Sequence, residues 1–476
     1  GNSNSLLRGY VEVFGDKADV FILNPNGISC DGCGFINTPR VLLGTGRSDI
    51  NNGSLVGVDI DLASKIIIEG LGLDVEEVDY VDIITRFAEI SSNIYGSADR
   101  DANGKVTELN IKTGNDKYDV TTGKVSSTST KQGALLDSVV LGGMYAGKIF
   151  IEATEAGVGV NLGGDVVTTI SDLDIVTRGD VNVAKDLNAQ GDINIEAADD
   201  IILADGSMLL GNDIDLLANN ISYGSDTVSY SRHNTLVDAM QINLHESSSI
   251  IAEQSLTLKL STNNDLRGVL SAIGDVNING VNLYNYGDIY SQSGSVLIES
   301  DNLVNYNVIR AGNDLSIFAN SIENSSASLL IAALGDLRLA VADDLSLNEE
   351  IVNLGEVNAG GGLYLSSKTL VDDTMSKFVA LGKAEFDFDD NVVALHGSLL
   401  AGKDIDFKSG DFTNVGSIYS ESGNIGISSA NLTNNGLIKA GGDLNIDSAG
   451  EYNNNGAVIS GNDLTIYSNN LYNNYG

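Results

Sequence analysis

Apolar and polar residues alternate along most of the chain, in short runs that end at Gly, Asn or Asp. The stretch "VGVDIDLASKIIIEG" (56–70) is one example. A period of two residues is typical of a β-strand with one buried face, so the pattern predicts many short strands joined by turns. The segment "VDIITRFAEISSNIY" (81–95) also fits a helical stripe, and we favour a strand there because its neighbours alternate.

A longer period of about 20 residues organises the C-terminal half of the chain. Segments such as "LTNNGLIKAGGDLNI" (432–446) and "YNNNGAVISGNDLTI" (452–466) share the consensus L-x-N-x-G-x-I-x-A/S-G-x-D-L-x-I. Leu395 lies where a further member is expected in the longest gap between consensus asparagines. The consensus asparagines are Asn285, Asn305, Asn324, Asn353, Asn414, Asn434, Asn454 and Asn473. Repeats of this length indicate a stacked array of similar units.

Short strands within such repeats predict an all-β fold, a right-handed parallel β-helix (solenoid) with coils of about 20 residues and extra-helical loops. Each coil stacks on the last at about 4.8 Å, which places apolar columns inside. The polar, turn-rich segments 96–108 and 121–133 are expected to be such loops. A leucine-rich repeat has a similar period, but the second half of each unit here lacks a helical segment. We also expect a side-chain amide ladder, each amide donating to the next, at Asn285, Asn305, Asn414, Asn434 and Asn454.

The net charge of the chain argues against two classes of binding partner. The formal charge is −39, from 26 basic and 65 acidic residues, and it argues against nucleic acid and against anionic membrane surfaces, whose phosphates it repels. We interpret the acidity as a source of solubility rather than as a set of cation sites. No apolar run reaches the length of a bilayer-spanning helix, so we expect no transmembrane segment.

Catalytic groups are sparse in the sequence. Parallel β-helices include polysaccharide lyases and hydrolases, which need clustered carboxylates beside a base. Acidic pairs occur at Asp199–Asp200, Asp343–Asp344 and Asp389–Asp390, but we expect no basic residue beside them one coil away. The three histidines are isolated from one another, and no hydrolase, zinc-protease or nucleotide-binding signature appears. We therefore expect no catalytic residue and no cofactor.

The turn aspartates of the repeat superficially resemble a calcium-binding nonapeptide motif. In that motif the turns recur every nine residues, whereas here they recur about every 20. Ser295 and Asn424 also replace the aspartate in two repeats. An aspartate that caps the amides of the next strand explains the position, so we expect no metal site.

One irregular stretch, "NPNGISCDGCGFINTPR" (24–40), contains both prolines and both cysteines of the chain. Redox chemistry of the thioredoxin type at Cys30 and Cys33 needs a strand followed by a helix, and a zinc site needs four ligands. A structural disulfide across C-D-G-C needs only an oxidising compartment. We favour the disulfide, with free thiols or a metal ligand as the alternatives.

The same stretch resembles the signature of the two-partner secretion domain of filamentous haemagglutinins and contact-dependent growth inhibition exoproteins. "LLRGYVEVFGDKADVFILNPNGI" (6–28) and "LGGMYAGKIFIEATEAGVGV" (141–160) are similar to segments of that domain, and the 20-residue repeats resemble haemagglutinin repeats. Family members carry a further N-P-N-L turn and an amphipathic cap, which residues 1–23 lack, so we expect a fragment. By position, the family's N-P-N-G-I turn, a motif for secretion and transporter recognition, falls on Asn24, Pro25, Asn26, Gly27 and Ile28. A turn that only stabilises the early coils is the alternative.

The resemblance implies three regions. Residues 1–165 correspond to the C-terminal part of the secretion domain, 166–260 to irregular β-helix coils, and 261–476 to haemagglutinin-type repeats that continue beyond the fragment.

The resemblance also implies a function. The partners are an outer-membrane two-partner secretion transporter β-barrel and a surface receptor on target cells, and the chain is secreted to the exterior of a Gram-negative cell. Its function is that of a non-enzymatic filamentous stalk, for adhesion or for display of a receptor-binding region and a C-terminal toxin in contact-dependent inhibition. The alternative is a secreted β-helical polysaccharide lyase or hydrolase, which a groove with paired acids and a nearby Arg or Lys would favour.

Overall fold

The computed structural model of the protein describes residues 3–60, 64–97, 105–115, 117–126, 139–341, 350–389 and 391–474. In these residues every regular element is a β-strand, which confirms the all-β prediction. The described part of the chain contains no helix long and apolar enough to cross a membrane. Asp343, Asp344 and Asp390 lie outside the described residues. The chain divides into two compact units, 1–250 and 251–476.

The strands of the first unit are short and separated by turns. In chain order they are β1 (Ser5–Glu12), β2 (Val20–Leu23), β3 (Ile28–Ile36), β4 (Arg40–Gly44), β5 (Gly46–Asn51), β6 (Ser54–Ile60), β7 (Lys65–Val75), β8 (Tyr80–Thr85), β9 (Phe87–Ile90), β10 (Ile94–Gly96), β11 (Glu108–Thr113), β12 (Lys117–Asp119), β13 (Val125–Ser126), β14 (Val139–Leu141), β15 (Met144–Ala146), β16 (Lys148–Ala153), β17 (Val160–Leu162), β18 (Val166–Thr168), β19 (Leu173–Thr177), β20 (Val181–Val183), β21 (Leu187–Ala189), β22 (Ile193–Ala197), β23 (Asp200–Leu203), β24 (Met208–Gly211), β25 (Ile214–Tyr223), β26 (Val228–Ser231), β27 (Asn234–Leu244) and β28 (Ser249–Ala252), which contains the boundary.

The strands of the second unit follow the same pattern. They are β29 (Ser255–Leu260), β30 (Asn264–Leu266), β31 (Val269–Ala272), β32 (Val276–Asn285), β33 (Asp288–Ser291), β34 (Val296–Asn305), β35 (Val308–Ala311), β36 (Leu315–Asn324), β37 (Leu329–Ala332), β38 (Leu337–Val341), β39 (Glu350–Asn353), β40 (Glu356–Ala359), β41 (Leu363–Ser366), β42 (Thr369–Asp372), β43 (Lys377–Ala380), β44 (Ala384–Asp387), β45 (Val393–Leu395), β46 (Ser398–Ala401), β47 (Ile405–Lys408), β48 (Asp411–Asn414), β49 (Ser417–Ser420), β50 (Ile425–Ser429), β51 (Asn431–Asn434), β52 (Leu437–Ala440), β53 (Leu444–Asn454), β54 (Ala457–Ser460) and β55 (Leu464–Asn473).

Parallel pairing between successive coils makes each unit a β-solenoid, as the repeats predicted. In the first unit β16, β19, β22 and β25 pair in turn, so that Leu173, Ile193 and Ile214 stack in one column. All three side chains are fully buried. Burying a residue of this size stabilises the fold by about 1.5–3 kcal/mol, and alternate residues of every strand point inward in this way.

Residues 173–235 have coils of regular length in the structure, although their sequence motifs are closely spaced. Register partners there lie 20 or 21 residues apart, as for Leu173 with Ile193 and Ile193 with Ile214. The motifs "GDVNV" (179–183) and "GDINI" (191–195) belong to different sheets of the solenoid, since β20 pairs with β23 and β22 with β25. The motifs are closely spaced because several of them belong to different strands of the same coil.

The segment 81–95 is extended, as we favoured: it forms β8, β9 and the start of β10. The described part of the expected loop 121–133 forms β13, at the edge of a four-stranded antiparallel sheet with the order β13, β12, β6, β5. This extra-helical sheet is absent from the sequence interpretation. Its local strand pattern does not differ from that of the solenoid, so only the antiparallel pairing distinguishes it.

Phenylalanines fill the core of the second unit where the asparagine repeat is interrupted. Phe407 stacks on Phe412 with ring centroids 4.1 Å apart and on Phe386 at 5.8 Å. Phe378 meets Phe386 edge-on at 5.3 Å, and all four rings are buried. Aromatic packing thus replaces the side-chain amides as the specific interior contact in these coils.

Candidate functional site

The N-P-N-G-I turn connects β2 to β3 and is fixed by its first asparagine. The Gly27 amide donates to the Asn24 carbonyl at 3.0 Å, and the Asn26 amide donates to Asn24 Oδ1 at 2.9 Å. Asn24 Nδ2 donates to Ser5 Oγ at 2.9 Å and to the Ser3 carbonyl at 3.1 Å. Asn24 therefore closes the turn on itself and also ties it to the preceding strand β1.

The base of this turn is buried and its tip is exposed. Gly27 has φ +113°, and a Cβ added there would lie 2.9 Å from the Lys65 carbonyl oxygen, so only glycine fits without strain. Ile28 is fully buried, whereas Pro25 and Asn26 face solvent. The turn thus presents two exposed residues on a rigid base.

The C-D-G-C loop directly follows the turn. Cys30 and Cys33 are joined by a disulfide and are both buried. The register of β3 slips between Asp31 and Cys33 where it pairs with β7, and β1 carries a matching irregularity between Leu7 and Gly9. Gly32 supplies a φ of +69° at this bulge. Bulges re-aim strands locally, so three adjacent strands bend together beside the N-P-N-G-I turn.

A charged pair lies between the solenoid and the extra-helical sheet. Arg40 of β4 donates through Nε and Nη2 to Asp82 Oδ2 of β8, at 3.0 and 2.7 Å. Only 6% of the Asp82 side chain is exposed, and Asn110 Nδ2 donates to its other oxygen at 3.2 Å. Burial, with the Asp82 charge as a smaller cause, raises the pKa of the Tyr118 hydroxyl to about 12.

A cavity of about 370 Å³ opens beside this pair and is bordered by Lys112. The Lys112 ammonium donates to the Gly123 carbonyl and lies 3.5 Å from Glu152 Oε2. Behind it Tyr118 packs with buried Leu42 and Ile84. Because the cationic groups here are already paired, we interpret the arrangement as a latch that holds the extra-helical sheet on the solenoid.

The consensus asparagines form two chains of side-chain amides, which are buried except at Asn473. In the first, Asn285 Nδ2 donates to Asn305 Oδ1 at 2.8 Å, Asn305 to Asn324 at 2.9 Å, and Asn324 to Asn353 at 2.8 Å. In the second, the bonds run from Asn414 to Asn434 at 2.8 Å, from Asn434 to Asn454 at 2.8 Å, and from Asn454 to Asn473 at 2.9 Å. Each amide donates toward the later coil. We call these chains the first and second ladders.

Both ladders begin at an unsatisfied atom. The buried Oδ1 atoms of Asn285 and Asn414 have no hydrogen-bond partner. Their register partners on the preceding coil are Leu266 and Leu395, which have no donor to offer. The first ladder ends opposite Asp372, whose buried carboxylate instead accepts the Gly397 amide at 2.7 Å. Between the two ladders, Asp372 and Leu395 occupy the position that asparagine holds in the other coils. This replacement interrupts the column of amides.

The turn aspartates cap the following coil, as the sequence suggested. Asp275 Oδ1 accepts the Ser295 amide at 2.8 Å, and Asp314 Oδ1 accepts the Asp336 amide at 2.8 Å. In the described residues no group of three or more Asp, Glu, His or Cys side chains is placed to hold a metal ion.

The structure corrects the prediction made for the acidic pair Asp389–Asp390. We expected no basic residue one coil away, yet Lys408 Nζ lies 3.2 Å from Asp387 Oδ1 and 3.8 Å from Asp389 Oδ1. The prediction was wrong because β44 and β47 pair in register, which sets Asp387 directly opposite Lys408.

A second lysine on this face also contacts carboxylates. Lys383 Nζ lies 2.9 Å from Glu385 and 3.2 Å from Asp406. Hydrogen bonds to these two carboxylates raise the pKa of Lys383, so it is a poor general base at neutral pH. The pairing therefore gives no support to a hydrolytic or lyase site here.

Sequence reasoning did not find the Arg40–Asp82 pair or the latch. Both depend on which coils are adjacent, and the two residues lie 42 positions apart. The sequence does show that Arg40 and Asp82 each lie in a segment of alternating apolar residues. Such segments indicate strands, and the outward residues of paired strands lie side by side.

Comparison with known proteins shows what the N-terminal part of the chain is similar to. Residues 1–183 match the model of the TPS secretion domain. The chain is 38% identical over 202 residues to Toxin CdiA of Yersinia pestis, an alignment that covers 40% of this chain and 6% of that protein. It is 27% identical over 455 residues to 16S rRNA endonuclease CdiA of Enterobacter cloacae subsp. cloacae, covering 79% of this chain and 13% of that protein. The chain therefore spans only a small part of the length of the curated relatives it matches.

Among solved structures, the chain matches the crystal structure of a filamentous hemagglutinin secretion domain. The TM-score is 0.34 at 22% identity, and the match covers 53% of this chain and 72% of that one. The matched region of the family model contains the N-P-N-G-I turn, the C-D-G-C loop and the latch. Residues 1–183 are therefore similar to the secretion domain of two-partner secretion exoproteins, and both units of the chain are β-solenoids.

Proposed function

We propose that this chain is the base of a surface filament that displays a receptor-binding region and a C-terminal toxin in contact-dependent growth inhibition. The names of the relatives support this proposal, since they describe a toxin and an endonuclease. The nuclease activity named there belongs, in this proposal, to parts of those proteins outside the matched region. A stalk that serves adhesion to target cells is the alternative within the same class.

The transporter partner is part of the proposal. The chain crosses the outer membrane through a two-partner secretion transporter β-barrel, which recognises the secretion domain. The observation that carries this step is the exposed tip of the turn, Pro25 and Asn26, on the rigid base formed by Asn24 and Gly27. A tip of this kind is available to a second protein without unfolding the coils beneath it.

The regions have separate roles in the proposal. Residues 1–165 act as the C-terminal part of the secretion domain, 166–260 as connecting coils, and 261–476 as repeats of a shaft that continues. The two ladders support a rigid shaft, because within each ladder a hydrogen bond between side-chain amides joins one coil to the next. The receptor on the target cell is bound by regions that follow.

The test measures secretion. The chain, with a reporter domain appended after residue 476, is produced in cells with and without a two-partner secretion transporter, and reporter exposure is measured with protease on intact cells. We expect surface exposure only when the transporter is present. Exposure that does not depend on the transporter, or a reporter that stays inside while the chain is outside, contradicts the proposal.

The turn is tested by variants. Asn24→Ala is expected to reduce secretion, and Asn462→Ala, at an exposed turn of the second unit, serves as the matched control. Thermal unfolding of both purified variants separates the two interpretations of the turn. Lost secretion with unchanged unfolding supports recognition, whereas parallel losses indicate that the turn acts by stabilising the early coils.

A further inference from the structure

The outward face of the sheet that contains β19, β22, β25 and β27 carries an unusual arrangement of charge. On each of these four coils one outward position holds a carboxylate, and the carboxylates alternate between two columns. They are Asp174, Glu196, Asp215 and Asp238. With coils about 4.8 Å apart, the acids form a zigzag that follows the solenoid for about 14 Å.

Apolar residues occupy most of the other outward positions of these coils. Val176, Leu217 and Leu236 lie beside the acids, and Phe150 closes one end. Together these residues line a groove of about 380 Å³, which we call the acidic groove. Leu217 is 45% exposed.

Most of the carboxylates in the acidic groove have no cation. Lys148 Nζ lies 3.9 Å from Asp174 Oδ2, at one end. In the part of the chain that the structure describes, Glu196, Asp215 and Asp238 make no ion pair. Partial burial, and then the nearby charges of Asp213 and Asp192, raise the pKa of Asp215. Charge repulsion and exposed apolar surface therefore coincide in one place.

We propose that the acidic groove binds a short extended segment of a partner protein in which lysine or arginine alternates with apolar side chains. Such a segment supplies a cation to each alternating carboxylate and covers Leu217 and its apolar neighbours. A length of about 14 Å corresponds to roughly five extended residues. A second copy of this chain is a poor occupant, because each copy carries a net charge of −39.

The test uses the full chain and a labelled six-residue peptide that alternates lysine and leucine, with both ends capped. Binding is followed by fluorescence anisotropy. Two control peptides replace lysine by glutamate or leucine by serine. We expect saturable binding of the lysine–leucine peptide, at least tenfold weaker binding of the lysine–serine peptide and none of the glutamate–leucine peptide.

Variants locate the binding. Asp215→Asn and Leu217→Asn are each expected to weaken binding at least fivefold. The matched controls are Asp199→Asn, an exposed acid outside the groove, and Ile202→Asn, which is 40% exposed on a different sheet. Both controls should bind as the unchanged chain does. Thermal unfolding verifies that all four variants are folded. If Asp215→Asn does not fold, Glu196→Gln takes its place in the test.

Several outcomes overturn the inference. The acidic groove is not the site if the lysine–leucine peptide fails to bind, or if all variants bind it equally, since bulk charge then accounts for the attraction. Self-association of the chain that Asp215→Asn abolishes identifies a second copy as the occupant. None of these results depends on secretion, so the inference and the proposed function fail separately.

Discussion

Asn414 and Asn434 are adjacent members of one ladder, yet their surroundings are unequal. Asn414 Nδ2 donates to Asn434 Oδ1 at 2.8 Å, whereas the buried Oδ1 of Asn414 itself accepts no hydrogen bond. Asn434 has partners on both sides, because it also donates to Asn454 at 2.8 Å. We therefore expect identical residues at equivalent positions to contribute different amounts to stability.

Asn434→Leu should destabilise the fold by about 1–3 kcal/mol, because it leaves the buried Asn454 Oδ1 without its side-chain donor and removes the acceptor of Asn414. Chemical denaturation of the purified chain measures the free energy of unfolding. An unchanged value means that the ladder does not stabilise this coil.

Asn414→Leu should cost less than about 1 kcal/mol, because it removes one unsatisfied buried oxygen and leaves Asn434 Oδ1 with the Gly436 amide as a donor at 3.3 Å. The first member of the ladder simply moves by one coil. The difference between the two variants, measured under the same conditions, is the informative quantity. Equal losses at both positions would show that the unsatisfied oxygen of Asn414 carries no cost.

Gly27→Ala should destabilise the first unit by roughly 3 kcal/mol, since the added Cβ meets the Lys65 carbonyl oxygen at a strained φ. Gly53 is the matched control: its φ is +82°, and a Cβ there meets nothing within 4 Å. Gly53→Ala should cost about 1 kcal/mol, from backbone strain alone. Thermal unfolding of the two variants compares them, and equal shifts contradict the steric argument.

The disulfide between Cys30 and Cys33 remains a prediction for the secreted protein. Alkylation of the denatured chain without reductant should leave both cysteines unlabelled, and reduction should expose both. Mass spectrometry of the peptide that spans residues 24–40 reads the result directly. Alkylation without reductant means that the thiols are free.

Tyr118→Phe should protect the protein at alkaline pH. Because the folded pKa of about 12 lies above the unfolded value near 10, the stability contributed by the neutral hydroxyl is complete below pH 10 and is lost as the pH rises toward 12. Phenylalanine has no proton to lose, so unfolding curves should diverge in its favour above pH 10, by up to about 2 kcal/mol. Tyr467→Phe, at a 68% exposed position, is the control and should follow the unchanged chain.

The solenoid and its coil length could be predicted because they depend on local alternation and on a repeat that recurs every 19 to 21 residues. The two ladders follow from the same column of asparagines. The sequence did not reveal what interrupts the first ladder at Asp372, where a buried carboxylate accepts the backbone amide of Gly397. The extra-helical sheet and the acidic groove were also missed, because each depends on which strands lie side by side.

Donation in one direction gives each ladder a polarity that matches the order of synthesis. The last folded coil always offers an N–H group, as Asn434 does to Asn454, and the coil that arrives next needs only to bring an oxygen. A coil that folds onto the earlier one therefore finds a hydrogen-bond donor already in place. If the chain is exported through a transporter, as we propose, each coil that emerges can therefore add to the coil that has already folded.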